Sequence, residues 1–390
     1  MPITVTSRSF GALEKAQRIG LDVAASFADA VDRDARFPSE SFEALRAERM
    51  LGIFIPTEFG GGGCSIADLS AICTTLGQYC SATAMIYAMH QIQVACIVRH
   101  ARDSKFFASY LTEIAETQAL IASATSEIGV GGDVRSSVCA VEHGDNGSIS
   151  LKKQAPVISY GEYADAILAT ARRTPDAPPS DQVLTLLRRE DFTLTRMSGW
   201  DTLGFRGTCS PGFTLSATTT EDHILPTSYA EISAQTMLPV SHIVWTSLWL
   251  GIATAAVGRA RAYIRAEARK SPGKTPAASV RLAEVVSKLQ GMRALVNDSV
   301  RDYETIMHDA DALSAMNFAI RMNNLKLTCS TAVVDIVGQA MLICGMSGYR
   351  HDSKSSLGRL LRDAYGAALM INNDRIYGSN AAMLLVSKDD

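Results

Sequence analysis

SATSEIGVGGDV, residues 123 to 134, is the stretch on which the reading of this chain turns. A short β-type run ends there in small hydroxyl residues, and a glycine loop with an acid on each side follows. Backbone N–H groups of such a loop can meet phosphates or the polar ring edge of a flavin. The same residues also make an ordinary β-turn, so the surroundings must decide.

Outward from this loop the chain changes character twice. Residues 1–118 read as helices: GALEKAQRIGLDVAASFADAVDRDARF carries apolar residues at helical spacing, and FPSESFEALRAERMLG places Pro and Ser before a second helix. Ser65 and Asp68 mark a further helix start. From 119 to 230 the runs are short and β-type, among them ALIASATSE, DAILATARR and QVLTLLRRE, broken by Asn-Gly and Pro-rich turns. From 231 to 390 long amphipathic segments return, the last covering roughly 357 to 386, and four long antiparallel helices make a bundle. The expected fold is mainly α with a central β domain.

The chain has 390 residues, too many for one core, and 47% of them are apolar. Its net charge is −3, with no basic stripe, which argues against a nucleic-acid partner. None of the eight cysteines forms a C-x-x-C or sits at zinc-site spacing, so they read as reduced, mostly buried thiols and no metal is expected. The N-terminus shows no apolar signal core, and no apolar run reaches the ~20 residues of a membrane span. A cytoplasmic protein with no membrane partner is the expectation.

Three other stretches carry possible chemistry. EFGGGGC (58–64) invites a phosphate-cradle reading but lacks a following G-K-[ST], so a tight turn competes with it. GWDTLGFRGTCSPGF (199–213) reads alone as a structural corner. CGMSGYRHDSKSSLGRLLRDA (344–364) reads alone as a helix stop and restart.

In this order and at these separations, the pieces resemble the acyl-CoA dehydrogenase superfamily over almost the whole chain. PTEFGGGGCS stands at the family's P-E-x-Y-G-G-x-G-x-S, SEIGVGGD at T-E-P-x-A-G-S-D, and VISYGEYAD at W-I-T-N-G-x-x-A-D. WDTLGFRGTCS matches W-x-x-x-G-x-R-x-T-x-S, and GMSGY with LGRLLRD matches G-G-x-G-Y with R-x-x-R-D. The resemblance implies an N-terminal helical domain, a middle β-barrel-like domain and a C-terminal four-helix bundle. It also implies FAD between the β domain and the bundle, and a homo-oligomer, dimer or tetramer, built through the bundle.

The family's flavin contacts carry over by position. Ser123, Thr125 and Ser126 fall on the strand edge facing the ring, Gly131 and Gly132 in the loop beside it, and Ser159 on the hydroxyl near flavin N5. Arg269 falls on the arginine that reaches the pyrophosphate of a neighbouring subunit, a task suited to a guanidinium fork. Gly345 and Gly348 fall on the turn at the adenine half, and Asn373 replaces a Thr near the cofactor. Pro272, Leu342 and Val157 depart from the family's Phe, Gln and Trp.

The family's dehydrogenases remove an α-proton with a Glu while a hydride goes to flavin N5. In the commonest layout that Glu follows the Arg-Asp pair by eight residues, which here gives Ile371. In a second layout it lies on the first bundle helix, where SHIVWTSLWLG has His242, Val244 and Trp245 for the family's Asp, Glu and Arg. Both standard bases are absent. Three substitutes present themselves: Asp374, one helical turn beyond Ile371; His242, at the former Asp; and His90, on a helix expected to line the acyl pocket.

Two function classes follow from the resemblance. One is a dehydrogenase with a relocated base, acting on a thioester of CoA or a carrier protein and passing electrons to a partner. The other is a monooxygenase of the same fold, which needs no such base. It forms a C4a-hydroperoxide from O₂ and reduced FMN or FAD supplied by a flavin reductase. A non-enzymatic flavin-binding scaffold is a third reading.

Overall fold

A computed structural model of the chain describes residues 7–270 and 272–387. The N-terminal stretch read above as lacking a signal core begins outside them. Six helices come first: α1 (Ser7–Arg18), α2 (Ala25–Arg33), α3 (Ser39–Ala47), α4 (Ile66–Tyr79), α5 (Ser81–His100) and α6 (Lys105–Thr117). α4 starts at a capping box, with the Asp68 N–H donating to Ser65 Oγ at 3.2 Å and the Ser65 N–H to the Asp68 carboxylate at 2.8 Å.

The middle of the chain forms two sheets. β1 (Ile121–Ala124), β4 (Ala166–Arg172) and β5 (Gln182–Arg188) make one, in the order β1-β4-β5, with β1 parallel to β4. β2 (Glu142–His143), β3 (Ser148–Ala155), β6 (Phe192–Arg196) and β7 (Phe213–Thr220) make the other, antiparallel, in the order β2-β3-β7-β6. β4 and β5 are almost wholly buried, while β7 alternates buried and half-buried or exposed residues, as a sheet with one covered face requires.

The C-terminal part contains α7 (Tyr229–Ile232), α8 (Leu238–Lys270), α9 (Ser279–Ile306), α10 (Ala310–Ser314), α11 (Met316–Cys344), α12 (Met346–Tyr349), α13 (Gly358–Leu369) and α14 (Asn373–Leu384). α8 is the central member. Against it lies α4, so close that a Cβ on Gly77 would sit 2.5 Å from the Leu248 carbonyl oxygen and one on Gly251 2.3 Å from that of Thr74. This backbone-to-backbone crossing fastens the N-terminal helices to the bundle. On its other side α8 packs along α11.

Two expectations need correction. The last helix is not continuous from 357 to 386: it breaks at residues 370–372, where Ile371 takes φ +46°, and restarts at α14 under an Asn372 cap. Three helical segments are also long and apolar enough to cross a membrane: Ser81–His100, Tyr229–Lys270 and Met316–Cys344. The first two bury 94% and 89% of their most apolar windows inside the protein, so their all-round apolarity is that of core helices.

Candidate functional site

The sequence-marked residues assemble in two places, one at the edge of the β domain and one at the seam between α8 and α11. At the β edge, Ser123 lies one residue before the end of β1, opposite Leu168, and Thr125 and Ser126 follow the strand half-buried. Among the described residues none of these three hydroxyls is committed to another side chain or backbone group. Glu127 then turns inward. Its carboxylate accepts from Ser137 Oγ and the Cys139 N–H, each at 2.6 Å, and from Lys153 Nζ at 3.0 Å. Lys153, wholly buried, also donates to the Thr170 carbonyl at 2.8 Å. Burial alone would raise the Glu127 carboxyl, but these three donors hold it below the usual range. The pair clamps both ends of the loop that carries Gly131 and Gly132. Gly132 has φ +78°, and the Arg375 guanidinium of α14 lies where its Cβ would be, 2.3 Å away.

Beside this loop, Ser210 Oγ donates to Ser159 Oγ at 2.8 Å, which leaves the Ser159 proton free. Val157, at the family's Trp position, is 37% exposed. Free hydroxyls on a strand end, a glycine loop at positive φ and a free Ser159 proton fit a flavin ring edge, which presents carbonyl oxygens and ring nitrogens to be bonded. Arg269, at the last turn of α8, is exposed, and no carboxylate among the described residues pairs with it. Gly345 ends α11 with φ +55°, and Gly348 is buried against Cys344. The chain would hold the cofactor with Ser123, Thr125, Ser126, Gly131, Gly132 and Ser159 at the ring.

The other motifs are structural. In the EFGGGGC loop the N–H groups of Gly61, Gly62, Gly63 and Cys64 all bond back to carbonyls of residues 52–56, so none is left to cradle a phosphate. Asp363, buried, accepts the Phe205 N–H at 2.6 Å, and Gly204 abuts the Arg362 carbonyl. The WDTLGFRG corner and the Arg-Asp pair are therefore two sides of one joint. All eight cysteines are free, and Cys209 alone is not fully buried. Among the described residues no group of three or more His, Cys, Asp and Glu side chains could hold a metal ion.

The seam between α8 and α11 lies beside Ile371, one of the two family positions of the missing base. His242 is 1% exposed, and its Nδ1–H donates to the Met322 carbonyl at 3.0 Å. A carbonyl only accepts, so Nδ1 carries the proton and Nε2 the lone pair. That Nε2 is buried with no partner among the described residues. One turn along α11 from Met322 lies Lys326, wholly buried. Its ammonium donates to the Ile371 carbonyl at 2.7 Å and to Asn373 Oδ1 at 2.6 Å. Burial pulls it down to about 8. The break between α13 and α14, where the family's Glu would be, is thus pinned by a lysine. Sequence reading missed Lys326: NNLKLTC looks like any lysine on an amphipathic helix.

The three proposed bases fare differently. His90 is wholly buried with both nitrogens engaged, Nδ1 accepting the Ile121 N–H at 3.0 Å and Nε2–H donating to the Leu51 carbonyl at 2.9 Å. Burial pushes it down to about 4, and its two bonds anchor the root of β1. Asp374 is an exposed first-turn acid of α14, a place where a carboxylate steadies the helix. Asn373 accepts from Lys326 through Oδ1 and donates to Ser330 Oγ through its amide N–H. Only His242 keeps a free, buried nitrogen. Burial, partly opposed by the Met322 bond and reinforced by the Lys326 charge, pushes it to about 4, so it stays neutral.

The chain was compared with known proteins. The acyl-CoA dehydrogenase N-terminal domain model matches residues 12–118, and the C-terminal domain model matches residues 232–370. The amino sugar nitrososynthase DnmZ of Streptomyces peucetius is 23% identical over 357 residues, 87% of this chain and 84% of that protein. Butyryl-CoA dehydrogenase from Megasphaera elsdenii superposes with a TM-score of 0.84 at 18% identity, covering 99% of this chain and 100% of the other. FMN-bound TdsC, a dibenzothiophene monooxygenase from Paenibacillus sp. A11-2, superposes at 0.83 with 17% identity, covering 99% and 98%. Likenesses at that identity show the fold. With two domain models of one family matching at both ends of the fold, the chain belongs to the acyl-CoA dehydrogenase superfamily.

Proposed function

We propose that this chain is a flavin-dependent monooxygenase acting on a small organic molecule. A bound reduced flavin, FAD or an FMN or FAD handed over by a reductase, supplies two electrons that divide O₂ between the substrate and water. The observation that carries the reading is the replaced base. Ile371 and Val244 stand at both family positions for the Glu, and a lysine rather than a carboxylate lies against Ile371. Removing a weakly acidic α-proton needs a positioned base, worth roughly 10²–10⁴-fold. Neutral His242 and protonated Lys326 do not provide one. Oxygen insertion makes no such demand on the protein. The likeness to a nitrososynthase and a monooxygenase supports the same direction.

What the chain's own residues contribute is binding and exclusion of water. The hydroxyls at the β edge and Ser159 would orient the flavin, and the buried seam keeps the substrate side dry. The test is an anaerobic titration of the flavin-loaded protein with a panel of acyl thioesters. The visible flavin band should not bleach with any of them. Bleaching by one thioester would overturn the reading in favour of a dehydrogenase with a displaced base.

A further inference from the structure

His242 is followed on α8 by Trp245 and Trp249, three and seven residues on. At 3.6 residues per turn all three lie within about 60° of one another and span roughly 10 Å of helix. The indole Nε1 of each tryptophan, like His242 Nε2, is buried with no hydrogen-bond partner among the described residues. This stripe points away from the α4 crossing, which uses Leu248 and Gly251. At its His242 end it meets α11 at Met322. Buried polar atoms are rarely left unpaired, so three in one stripe call for partners that the described residues do not supply. Two of the three are donors; the only acceptor is His242 Nε2.

We propose that His242 Nε2 is the substrate-anchoring acceptor of this site, and that the substrate is a compact planar molecule with an N–H or O–H donor and no positive charge. The identity of the stripe as the substrate's side rests on the oxygenase reading above. The class follows from what surrounds the acceptor. The Met322 carbonyl fixes its tautomer, so Nε2 can only receive a hydrogen bond. Its conjugate acid lies near 4, so it remains an acceptor at neutral pH. The Lys326 ammonium nearby disfavours a cationic ligand, and its own two contacts are the Ile371 carbonyl and Asn373, not a carboxylate. The other charged groups at this seam, Asp374 and Arg375 on α14, are exposed. The tryptophans offer flat walls and two donors for a ring and its acceptor atoms. An acyl thioester has no N–H or O–H near its reacting carbons to give to Nε2.

The experiment measures binding, not turnover. Calorimetric titration of the flavin-loaded protein compares matched pairs with and without the donor: indole with benzofuran, and 2-naphthol with naphthalene. The donor member should bind roughly tenfold tighter, the size expected when a buried acceptor is satisfied rather than left alone. His242→Leu should bring each pair to parity while flavin binding stays unchanged. His242→Gln, whose amide can donate to Met322 and still offer an oxygen, should restore part of the preference. If the leucine variant does not fold, ¹⁵N spectra of the wild-type histidines decide. One unprotonated Nε2 should shift on adding the donor member and not on adding its twin. Parity in the wild type, an unchanged preference in His242→Leu, or no binding by any donor would each overturn the proposal. Thioester bleaching would instead overturn the oxygenase reading, whatever the matched pairs show.

Discussion

Lys153→Met is the perturbation whose size the structure sets most directly. Methionine keeps the apolar stem of this wholly buried lysine but removes the ammonium that reaches Glu127 at 3.0 Å and Thr170 at 2.8 Å. The Glu127 carboxylate, 6% exposed, is left with two neutral donors, Ser137 and the Cys139 N–H. Stranding one member of a buried ion pair costs about 3–5 kcal/mol. With two donors remaining, the lower end, about 3 kcal/mol, is expected. Adding Glu127→Gln should recover much of the loss, because the stranded charge is gone while the amide oxygen accepts the Cys139 N–H and the amide NH₂ donates to Ser137 Oγ, whose own proton stays on the Cys139 carbonyl. The sign with pH follows. In the wild type Glu127 lies below its ordinary value, so its stabilisation is present above the carboxylate range and is lost as pH falls through the folded value. In the variant burial acts without the ammonium and raises the carboxyl, so proton uptake stabilises the variant as pH falls. The gap between the two should therefore narrow toward acid pH in thermal melts. A loss below about 1 kcal/mol, or a gap that does not change with pH, would refute this account.

Two further outcomes are expected. Lys326 loses its proton near 8 in the folded chain and near its ordinary 10.5 when unfolded. Between those values the unfolded chain holds the extra proton, so the wild type should gain stability relative to Lys326→Met as pH rises through the window. Parallel stability curves for the two proteins would contradict it. Arg269→Ala should purify with much less flavin and regain it only at high added flavin, since the exposed guanidinium at the end of α8 is placed to meet phosphates. A variant that retains its full complement of flavin would remove Arg269 from the site.

How much of this was legible in the sequence depended on how local each cause was. The α4 start was readable because Ser65 and Asp68 cap each other three residues apart. The strands Phe192–Arg196 and Phe213–Thr220 went unnamed, although FTLTR and FTLSATTT carry the alternation of a half-buried strand. The break at 370–372 could not be read. No propensity warns of a β-branched residue at φ +46°, and the lysine that holds its carbonyl lies 45 residues earlier. The histidines make the same point. His90 and His242 both sit on apolar helices and look alike in sequence. Leu51 and Ile121 occupy both nitrogens of the first, while among the described residues Met322 engages only Nδ1 of the second.

That difference bears on the chemistry. A general base works best with a pKa near the operating pH, and enzymes raise a Glu to about 6–7 by burying it. The same burial acts in the opposite sense on an imidazole, because the charged form of a histidine is the protonated one. His242 is thus driven to about 4 by the very desolvation that would have prepared a glutamate, and Lys326 adds to the push. Relative to an ordinary histidine this weakens it as a base by about 3 kcal/mol. Replacing the Glu therefore did more than delete one residue. The buried seam, good for tuning a carboxylate, turns its remaining nitrogen into a fixed hydrogen-bond acceptor. A nitrogen of that kind accepts a hydrogen bond well and takes a carbon-bound proton poorly, which is why the oxygenase reading proposed above, with its bond changes left to the flavin and O₂, suits this seam better than a relocated base.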